Sequence, residues 1–386
     1  MREGWTYKKL GEVATFKRGL TYSGKDEVSF SDNVVLRSNN IDLATNTLNL
    51  DELKYVSSNI SIPEDKKLKA NSIFMCMSNG SKQHLGKVAF IDQDMPYAFG
   101  GFMGLIIPLK EKIYPKYLYF YFCSPQFKDV LSSIGNGANI NNIKFVDIAK
   151  YSVKTPSLSE QQSIVAELDK INELISLKKA QLSDLDALAQ SIFNDMFGDP
   201  IENEKGWEVK KLGEVSVFPS KRVNIADLTP SQYIGVENLR KDKKGVEFSQ
   251  TLPNADKAIE FITDDILIGN IRPYLRKIWI SNINGGASGD VIIVRKNTPS
   301  IMPMYLFKVL STETFFEYDN ANTHGAKMPR GDKKMIELFP IPLTPLSLQQ
   351  DFAKRIELIE QQKAQISSAI KDLETLLASR MQYWFD

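Results

Sequence analysis

The sequence of 386 residues lacks the side-chain spacings that are typical of an active site. Its two histidines, His84 and His324, have no nucleophile and carboxylate in a recognisable pattern near them. The two Gly-Lys pairs lack the leading glycine and the following hydroxyl of a phosphate-binding loop. Two cysteines and two histidines are also too few for a four-ligand zinc site or a disulfide framework. We therefore expect a cytoplasmic protein with no catalytic residue, metal or cofactor of its own.

The polar loops of the chain carry side chains that suit nucleic acid. Residues 36–42 (LRSNNID) and 78–87 (SNGSKQHLGK) form one pair of such segments, and residues 233–239 (YIGVENL) and 269–277 (GNIRPYLRK) form a second pair. Arg, Lys, Asn, Gln and Ser hydrogen-bond to base edges and phosphates. The candidate DNA-binding residues in and near these segments are Arg37, Ser38, Asn39, Asn40, Lys82, Gln83, Arg222, Asn238, Asn270, Arg272, Tyr274 and Arg276.

A glycine-containing polar segment also occurs twice. Residues 135–144 (GNGANINNIK) correspond to residues 324–333 (HGAKMPRGDK) in the second half of the chain. Backbone near glycine can approach a phosphate closely, and basic side chains there add charge. These segments add four DNA-binding candidates, Asn139, Asn142, Lys327 and Arg330. All of these loops also fit a simpler interpretation as exposed turns, in which Gly and Asn are common.

The charge of the chain is unevenly distributed, although its net value is only +1. Residues 1–155 carry 20 Lys and Arg against 15 Asp and Glu, and residues 200–344 carry 20 against 18. Residues 156–199, in contrast, carry 3 against 8. This pattern favours globular parts that touch nucleic acid and helical parts that face protein. No apolar run approaches the length of a membrane span, so we expect no membrane contact.

Apolar residues spaced alternately by three and four predict two long helices, at residues 161–196 and 349–384. Proline and serine precede each pattern and mark a helix start. We expect the two apolar stripes to pack on each other as an antiparallel intramolecular coiled coil. The alternative is that each helix covers the sheet of its own domain. The helix residues predicted to bind partners are Ile164, Leu168, Ile171, Ile175, Leu182, Leu185, Ile356, Ile359, Ile366, Ile370, Leu373 and Leu377.

The rest of the chain alternates short apolar runs with turn residues, which is typical of strands in a mixed fold. The predicted strands are residues 33–36, 72–77, 104–107, 266–268, 278–280 and 291–295. Shorter helices are predicted at residues 115–123, 125–133, 304–310 and 312–318. The predicted fold class is therefore α+β, with two mixed domains and two long helices.

The chain is a tandem duplication. Residues 4–16 (GWTYKKLGEVATF) and residues 206–218 (GWEVKKLGEVSVF) agree at nine of thirteen positions. Residues 161–197 align with residues 349–385 at a fixed offset of 188. Two copies of one unit in one chain imply an approximate twofold axis and two similar surfaces.

Together these features resemble the specificity subunit of type I restriction-modification enzymes. The resemblance rests on the two KLGEV blocks, on the two-copy layout, and on the helix starts TPSLSEQQ (residues 155–162) and IPLTPLSLQQ (residues 341–350). It covers nearly the whole chain. It implies two target-recognition domains and two conserved spacer helices, which we expect at residues 1–155, 156–199, 200–344 and 345–386, in the order domain, helix, domain, helix.

The resemblance implies that each domain reads one half of a bipartite double-stranded DNA target. The helices would set the spacer between the halves and dock two methylation subunits. S-adenosylmethionine would then belong to the methylation subunits, and ATP and magnesium to restriction subunits. Two other function classes stay open: a fragment of a DNA methyltransferase or nuclease, and a coiled-coil adaptor that binds only protein.

Overall fold

The computed structural model describes residues 4–134, 142–325 and 327–386. In these residues the helices are α1 (Leu10–Val13), α2 (Pro115–Cys123), α3 (Pro125–Ile134), α4 (Phe145–Ile148), α5 (Leu158–Phe197), α6 (Leu212–Val215), α7 (Pro303–Val309), α8 (Glu313–Ala321), α9 (Lys333–Ile336) and α10 (Leu346–Phe385). All six helices that the sequence predicted are present, with ends that agree to within three residues. Pro115 and Pro303 each open a helix at a position where no amide donor is needed.

The chain divides into two compact units, and each takes part of both long helices. The first unit is Met1–Lys179 with Ser368–Asp386, and the second is Ala180–Ser367. Each unit thus contains strands, short helices and one end of both α5 and α10, which confirms the α+β prediction. The functional boundaries between recognition domains and spacer helices stay a prediction.

The first unit contains two four-stranded sheets and a two-stranded ribbon. Its strands are β1 (Thr6–Lys9), β2 (Ala14–Arg18), β3 (Glu27–Val28), β4 (Val34–Leu36), β5 (Lys54–Val56), β6 (Ser72–Cys76), β7 (Val88–Ile91), β8 (Ala98–Phe99), β9 (Met103–Pro108) and β10 (Ser152–Thr155). The antiparallel sheet has the order β2-β9-β6-β7, and the other has the order β3-β5-β4-β8 with β4 and β8 parallel. The ribbon pairs β1 with β10.

The second unit repeats most of this plan and also contains an additional ribbon. Its strands are β11 (Glu208–Lys211), β12 (Ser216–Val217), β13 (Arg222–Asn224), β14 (Tyr233–Ile234), β15 (Lys257–Phe261), β16 (Ile266–Gly269), β17 (Ile278–Ile280), β18 (Gly285–Ala287), β19 (Val291–Lys296), β20 (Thr323–His324), β21 (Arg330–Gly331) and β22 (Pro340–Leu343). The order β12-β19-β16-β17 matches the first antiparallel sheet, the β11-β22 ribbon matches the first ribbon, and the additional ribbon pairs β20 with β21. The remaining sheet has the order β13-β15-β18-β14, so the two units diverge there.

The KLGEV blocks form the same buried corner in both units. Leu10 and Val13 of α1 are buried, and the amide of Lys9 donates to the Glu12 side chain at 3.0 Å. This contact satisfies an amide at the helix start. In α6 the amide of Lys211 donates to Glu214 at 2.7 Å. The blocks therefore have a structural role, because they hold each ribbon against the rest of its unit.

The long helices run antiparallel within each unit. In the first unit Arg380 of α10 pairs with Glu167 of α5, and Lys179 Nζ lies 2.9 Å from Glu374 Oε1. The hydrogen bond from Arg380 holds the pKa of Glu167 below its ordinary value. These pairs advance along α5 while they retreat along α10, as an antiparallel pair requires.

The second unit repeats the antiparallel pairing of the helices with different residues. Lys363 Nζ of α10 lies 2.7 Å from Asp186 Oδ1 of α5. Nearer the carboxyl end of α5, the rings of Phe193 and Phe352 meet edge to face, with their centroids 5.7 Å apart. The antiparallel arrangement predicted from the heptads is therefore confirmed within each unit.

The beginning of the first unit packs on the end of α10. The Trp5 and Trp384 rings stack with their centroids 6.2 Å apart and their planes at 8°. At the corresponding place in the second unit, the Trp207 indole donates to the Phe197 carbonyl at 3.0 Å. No helix in the described residues is long and apolar enough to cross a membrane.

Candidate nucleic-acid interface

In the second unit two of the predicted DNA-binding loops lie side by side. The loop at residues 270–276 follows β16, and its Ile271 forms a backbone bridge with Arg330 of β21. The amide of Arg272 donates to the carbonyl oxygen of Pro329 at 2.7 Å. We call this contact between the two loops the loop junction of the second unit.

Two arginines of this loop have a left-handed backbone conformation. The φ angles are 54° at Arg272 and 50° at Arg276, on either side of the turn Pro273–Leu275. A left-handed conformation costs a non-glycine residue on the order of 1 to 2 kcal/mol. Such strain is found where surrounding contacts impose it, and it clusters at functional sites.

The exposed side chains at this junction are basic and aromatic. Arg272 and Lys327 are exposed, and the Tyr274 side chain is 52% exposed. Arg330 is also exposed, and its Nη2 lies 3.1 Å from Asp290 Oδ1. The junction therefore presents cations and one aromatic ring to solvent, which suits phosphate and base contacts.

Arg276 was predicted to contact DNA, but its guanidinium forms hydrogen bonds within the unit that stabilise the loop. Nη1 donates to Glu313 at 2.9 Å and Nη2 donates to Asp242 at 2.5 Å. The hydrogen bonds to Glu313 and then Asp242 raise the pKa of Arg276. Because two carboxylates pair with this guanidinium, we remove Arg276 from the candidates for direct DNA contact.

Asn270 lies at the base of the junction beside a buried carboxyl group. Asp319 of α8 is 1% exposed, and burial raises its pKa to about 7. Neither carboxylate oxygen of Asp319, nor the amide oxygen of Asn270, has a hydrogen-bond partner among the described residues. A Cβ at Gly331 would clash with Asp319, so glycine permits the close approach of β21.

The first unit repeats this junction with different side chains. Ser78 and Asn142 form the backbone bridge that corresponds to the one in the second unit. Asn142 and Gln83 are exposed. Lys82 lies in a short 3-10 helix, and Asn139 falls outside the described residues. This junction therefore presents amides where the second unit presents arginines.

The segment after β4 lies against the first junction. Ser38 Oγ accepts a hydrogen bond from Asn79 Nδ2 at 2.9 Å, and Asn39 is exposed. Arg37 is half-buried and its guanidinium pairs with Glu27. Ser38 and Asn39 thus stay candidates for direct contact, whereas Arg37 is already held by a carboxylate.

Asn40 and Asn238 were also predicted to contact DNA, and the structure gives both a different role. Asn40 is 1% exposed and Asn238 is 8% exposed. The Asn40 amide donates to the carbonyls of Asn49 and Glu52 at 3.0 and 2.8 Å, and the Asn238 amide donates to that of Glu247 at 3.0 Å. Each also accepts from the amide three residues earlier. These side chains fix equivalent turns, so we withdraw both as DNA contacts.

Three other basic residues occupy contrasting positions. Arg222 is exposed on β13, at the edge of its sheet. Lys87 Nζ donates to the Ile41 carbonyl at 2.8 Å, and Lys277 Nζ donates to the Val236 carbonyl at 2.6 Å. Burial lowers the pKa of both lysines. The two lysines therefore hold the backbone that leads into the junctions.

Sequence reasoning missed two residues at the first junction. Phe102 is 70% exposed, and its carbonyl oxygen accepts from the amides of Met77 and Ser78 at 3.0 and 3.1 Å. Arg18 is exposed, and its Nε donates to the Gly101 carbonyl at 3.2 Å. Isolated Phe and Arg residues form no pattern along the sequence, so only the fold brings them together.

The helix residues predicted to bind partners lie in the core instead. Seven are buried and five are half-buried. Six of them belong to, or pack against, the cores that both long helices share with the globular part of a unit, namely Ile164, Leu168, Leu185, Ile356, Ile359 and Leu377. Both arrangements considered for the helices are therefore present. Different apolar side chains are exposed on α5 and α10, among them Leu174, Leu177, Leu188, Leu358, Leu376 and Tyr383.

Neither a metal cluster nor a reactive thiol is found in the described residues. No group of three or more His, Cys, Asp and Glu side chains there could hold a metal ion. Both cysteines are free, and burial raises the pKa of Cys76 and raises that of Cys123 to about 12. Protonated thiols are poor nucleophiles.

Comparisons with known proteins agree on one family. Residues 2–187 match the family described as the type I restriction modification DNA specificity domain. The StySPI specificity subunit of Salmonella potsdam is 32% identical over 47% of this chain, a match that spans 39% of that protein. The EcoKI specificity subunit of Escherichia coli K12 is 24% identical over 92% of this chain and 82% of that protein.

A solved structure shares the fold. It comes from a study of complex assembly and conformational transition of the type I R-M system, and it aligns with a TM-score of 0.58. The alignment covers 99% of this chain and 97% of that chain at 16% identity. The likeness therefore extends over both units.

Proposed function

The chain belongs to the family of type I restriction-modification specificity subunits, and from that premise we propose that it reads a bipartite sequence of double-stranded DNA. Each unit contacts one half of the target through its loop junction, and the long helices set the spacer. The chain contributes no catalytic residue. Methylation subunits carry S-adenosylmethionine, restriction subunits carry ATP and magnesium, and the complex works in the cytoplasm.

One observation supports this proposal above the others: the two units have equivalent junctions with different exposed side chains. Asn142 in the first unit takes the place of Arg330 in the second, at the same backbone bridge. Two units that recognise different half-sites are expected to share the backbone of the junction and to differ in its polar side chains. Base edges in the major groove present distinct donor and acceptor patterns, which amides and guanidiniums distinguish.

The second unit has the stronger set of direct contacts. Arg272, Tyr274, Lys327 and Arg330 are exposed around its junction. In the first unit the exposed candidates are Asn39, Gln83 and Asn142, with Ser38 and Lys82 beside them. Phosphate contacts fix the register of the protein on DNA, and base contacts supply the sequence preference.

The exposed leucines of the helices support docking of two partner subunits. Leu188 and Leu376 are separated by the repeat offset, and their side chains are 47% and 45% exposed. Leu158 and Leu346 repeat the pattern at 40% and 41%. Because each repeat leaves the same positions uncovered, we propose that two methylation subunits bind, one at each copy.

DNA recognition is tested with the chain purified together with its methylation subunits. Bound molecules selected from a randomised double-stranded DNA library should share two short defined blocks around an undefined spacer. Exchange of residues 1–155 for the matching part of a relative should alter one block only. Binding without any sequence preference, or changes in both blocks together, would contradict the proposal.

Docking is tested separately by native mass spectrometry of the complex. Leu188→Asp and Leu376→Asp should each remove one methylation subunit, and the double variant should remove both. Ser183→Asp, at an exposed position of α5, is the control and should leave the stoichiometry unchanged. Full occupancy in the double variant would show that these leucines are not the docking surface.

A further inference from the structure

Phe102 is a large apolar side chain that the first unit leaves 70% exposed. It ends the turn at residues 100–102, between β8 and β9. A single exposed aromatic residue is common on protein surfaces, so exposure alone indicates nothing. The position of Phe102 and the residue that replaces it in the second unit are informative.

The backbone beneath the Phe102 ring is fixed from both sides. Its carbonyl oxygen accepts from the amides of Met77 and Ser78, at 3.0 and 3.1 Å. The turn is also held to β4, since the amide of Gly100 donates to the Leu36 carbonyl at 2.9 Å. The ring therefore projects from an ordered turn, and binding through it would cost little backbone ordering.

The second unit has an aspartate at the equivalent position. The amide of Asn270 donates to the Asp290 carbonyl at 2.9 Å, as Met77 donates to Phe102. The amide of Ser288 donates to the carbonyl at the end of β14 at 3.0 Å, as Gly100 does to the end of β4. Phe102 and Asp290 thus occupy the same place in two equivalent turns.

The exchange extends to the partner across the junction. In the second unit Asp290 Oδ1 lies 3.1 Å from Arg330 Nη2, so an ion pair occupies this place. In the first unit the corresponding residues are Phe102 and Asn142, an aromatic ring and an amide. The charged pair of one unit is thus replaced in the other by an exposed aromatic ring and a neutral amide.

The neighbours of Phe102 suit the approach of DNA. Arg18 Nε donates to the carbonyl of Gly101 at 3.2 Å, which places an exposed cation beside the turn. The side chains of Asn79 and Ser38 hydrogen-bond to each other at 2.9 Å next to Ser78. Aromatic rings contact the thymine methyl group or stack on bases, while a nearby cation contacts phosphate.

We propose that Phe102 is a specificity-determining residue of the first unit, whose ring makes apolar contact with a base of the half-site that this unit reads. In the second unit, the polar side chains of Asp290 and Arg330 take the place of this apolar contact with a base. This inference rests on the proposed function, because it names a residue by which one unit selects its half-site.

The test uses the full chain in complex with its methylation subunits and a randomised double-stranded DNA library. For Phe102→Ala we expect the preference at one or two adjacent positions of one half-site to fall roughly tenfold, the size of a single mismatch. Phe102→Asp should have the same effect, because it places there the residue type found in the second unit. Phe30→Ala, which changes another exposed phenylalanine between β3 and β4, should change no preference.

The outcomes separate this inference from the function on which it rests. Wild-type preferences at every position in both Phe102 variants would overturn the inference, and so would a uniform loss of affinity without a change in preference. A wild-type complex without a two-block consensus would overturn the proposed function, and the inference with it. Thermal melting of each variant shows whether the chain is folded, and the high exposure of Phe102 predicts that it is.

Discussion

Gln161 and Gln349 are equivalent, fully buried residues that have two hydrogen bonds in common in the two units. Gln161 Oε1 accepts from the amide of Tyr114 at 2.7 Å, and Gln349 Oε1 accepts from the amide of Met302 at 2.8 Å. Each side-chain amide donates to the backbone carbonyl five residues earlier. The Gln-Gln motif at the helix starts thus joins each long helix to the short helix α2 or α7.

We predict that Gln161→Ala and Gln349→Ala lower the free energy of unfolding by about 1 to 3 kcal/mol each, because a buried amide loses its acceptor. Chemical denaturation measures the loss. Gln162→Ala and Gln350→Ala change the exposed neighbours and should stay within about 0.5 kcal/mol of the wild type. Equal losses at all four positions would show that the hydrogen bonds are not the cause.

Arg272 and Arg276 should separate DNA recognition from stability. Arg272→Ala removes an exposed guanidinium, so the target affinity should fall by about 1 to 3 kcal/mol if it contacts a base bidentately. The preference should change in one half-site only, with unfolding unaffected. Arg276→Ala breaks the bonds to Asp242 and Glu313 and should lower the free energy of unfolding by about 1 kcal/mol. A stability loss confined to Arg272→Ala would reverse these roles.

The buried carboxyl group of Asp319 predicts that stability depends on pH. Its pKa is about 7 in the folded chain and 3.8 ordinarily, so the folded chain holds this proton to higher pH. The protonated carboxyl group makes its full contribution to the free energy of unfolding below about pH 4. This contribution declines as the pH rises to about 7. The decline is on the order of a few kcal/mol.

Asp319→Asn should remove this part of the pH dependence, since an amide cannot ionise and can donate to Asn270. Urea denaturation between about pH 5 and about pH 8 compares the slopes. Glu317→Gln changes an exposed acid of the same helix and should keep the wild-type slope. A slope that survives in Asp319→Asn would assign the pH dependence to another group.

The long helices should act as a ruler for the DNA spacer. Deletion of residues 178–184 and 364–370 removes one heptad from each helix, about 10 Å at about 1.5 Å per residue. The seam stays in phase because the apolar period is seven residues. The distance corresponds to about three base pairs, so the spacer in the selected DNA should shorten accordingly or binding should fail. A folded complex with the original spacer would exclude the ruler.

The sequence was sufficient where the information is local. The ends of α5 and α10 follow from the heptad period and from the prolines before each helix, which depend on neighbouring residues only. The divergent order of the second sheet in each unit depends on long-range strand pairing. No local pattern encodes it.

The candidate site shows the same division. Arg272 and Arg330 were predicted because basic residues in polar loops form a recognisable composition, and both are exposed in the structure. Asn40 was assigned to DNA wrongly, because composition does not distinguish a buried amide that fixes a turn from an exposed one. Phe102 was missed because its exposure results from a turn held by two distant amides. Burial is a tertiary property, and it decides which polar residues are available.

The stacking of Trp5 on Trp384 has a consequence for synthesis on the ribosome. The core of the first unit contains Leu10 and Tyr117, and also Met381 and Phe385, which are translated long afterwards. Leu10 and Tyr117 are therefore translated long before Met381 and Phe385, with which they form this core, because the whole second repeat lies in between. Contacts so distant in sequence form slowly. The nascent chain should remain protease-sensitive in its first unit until the end of α10 emerges.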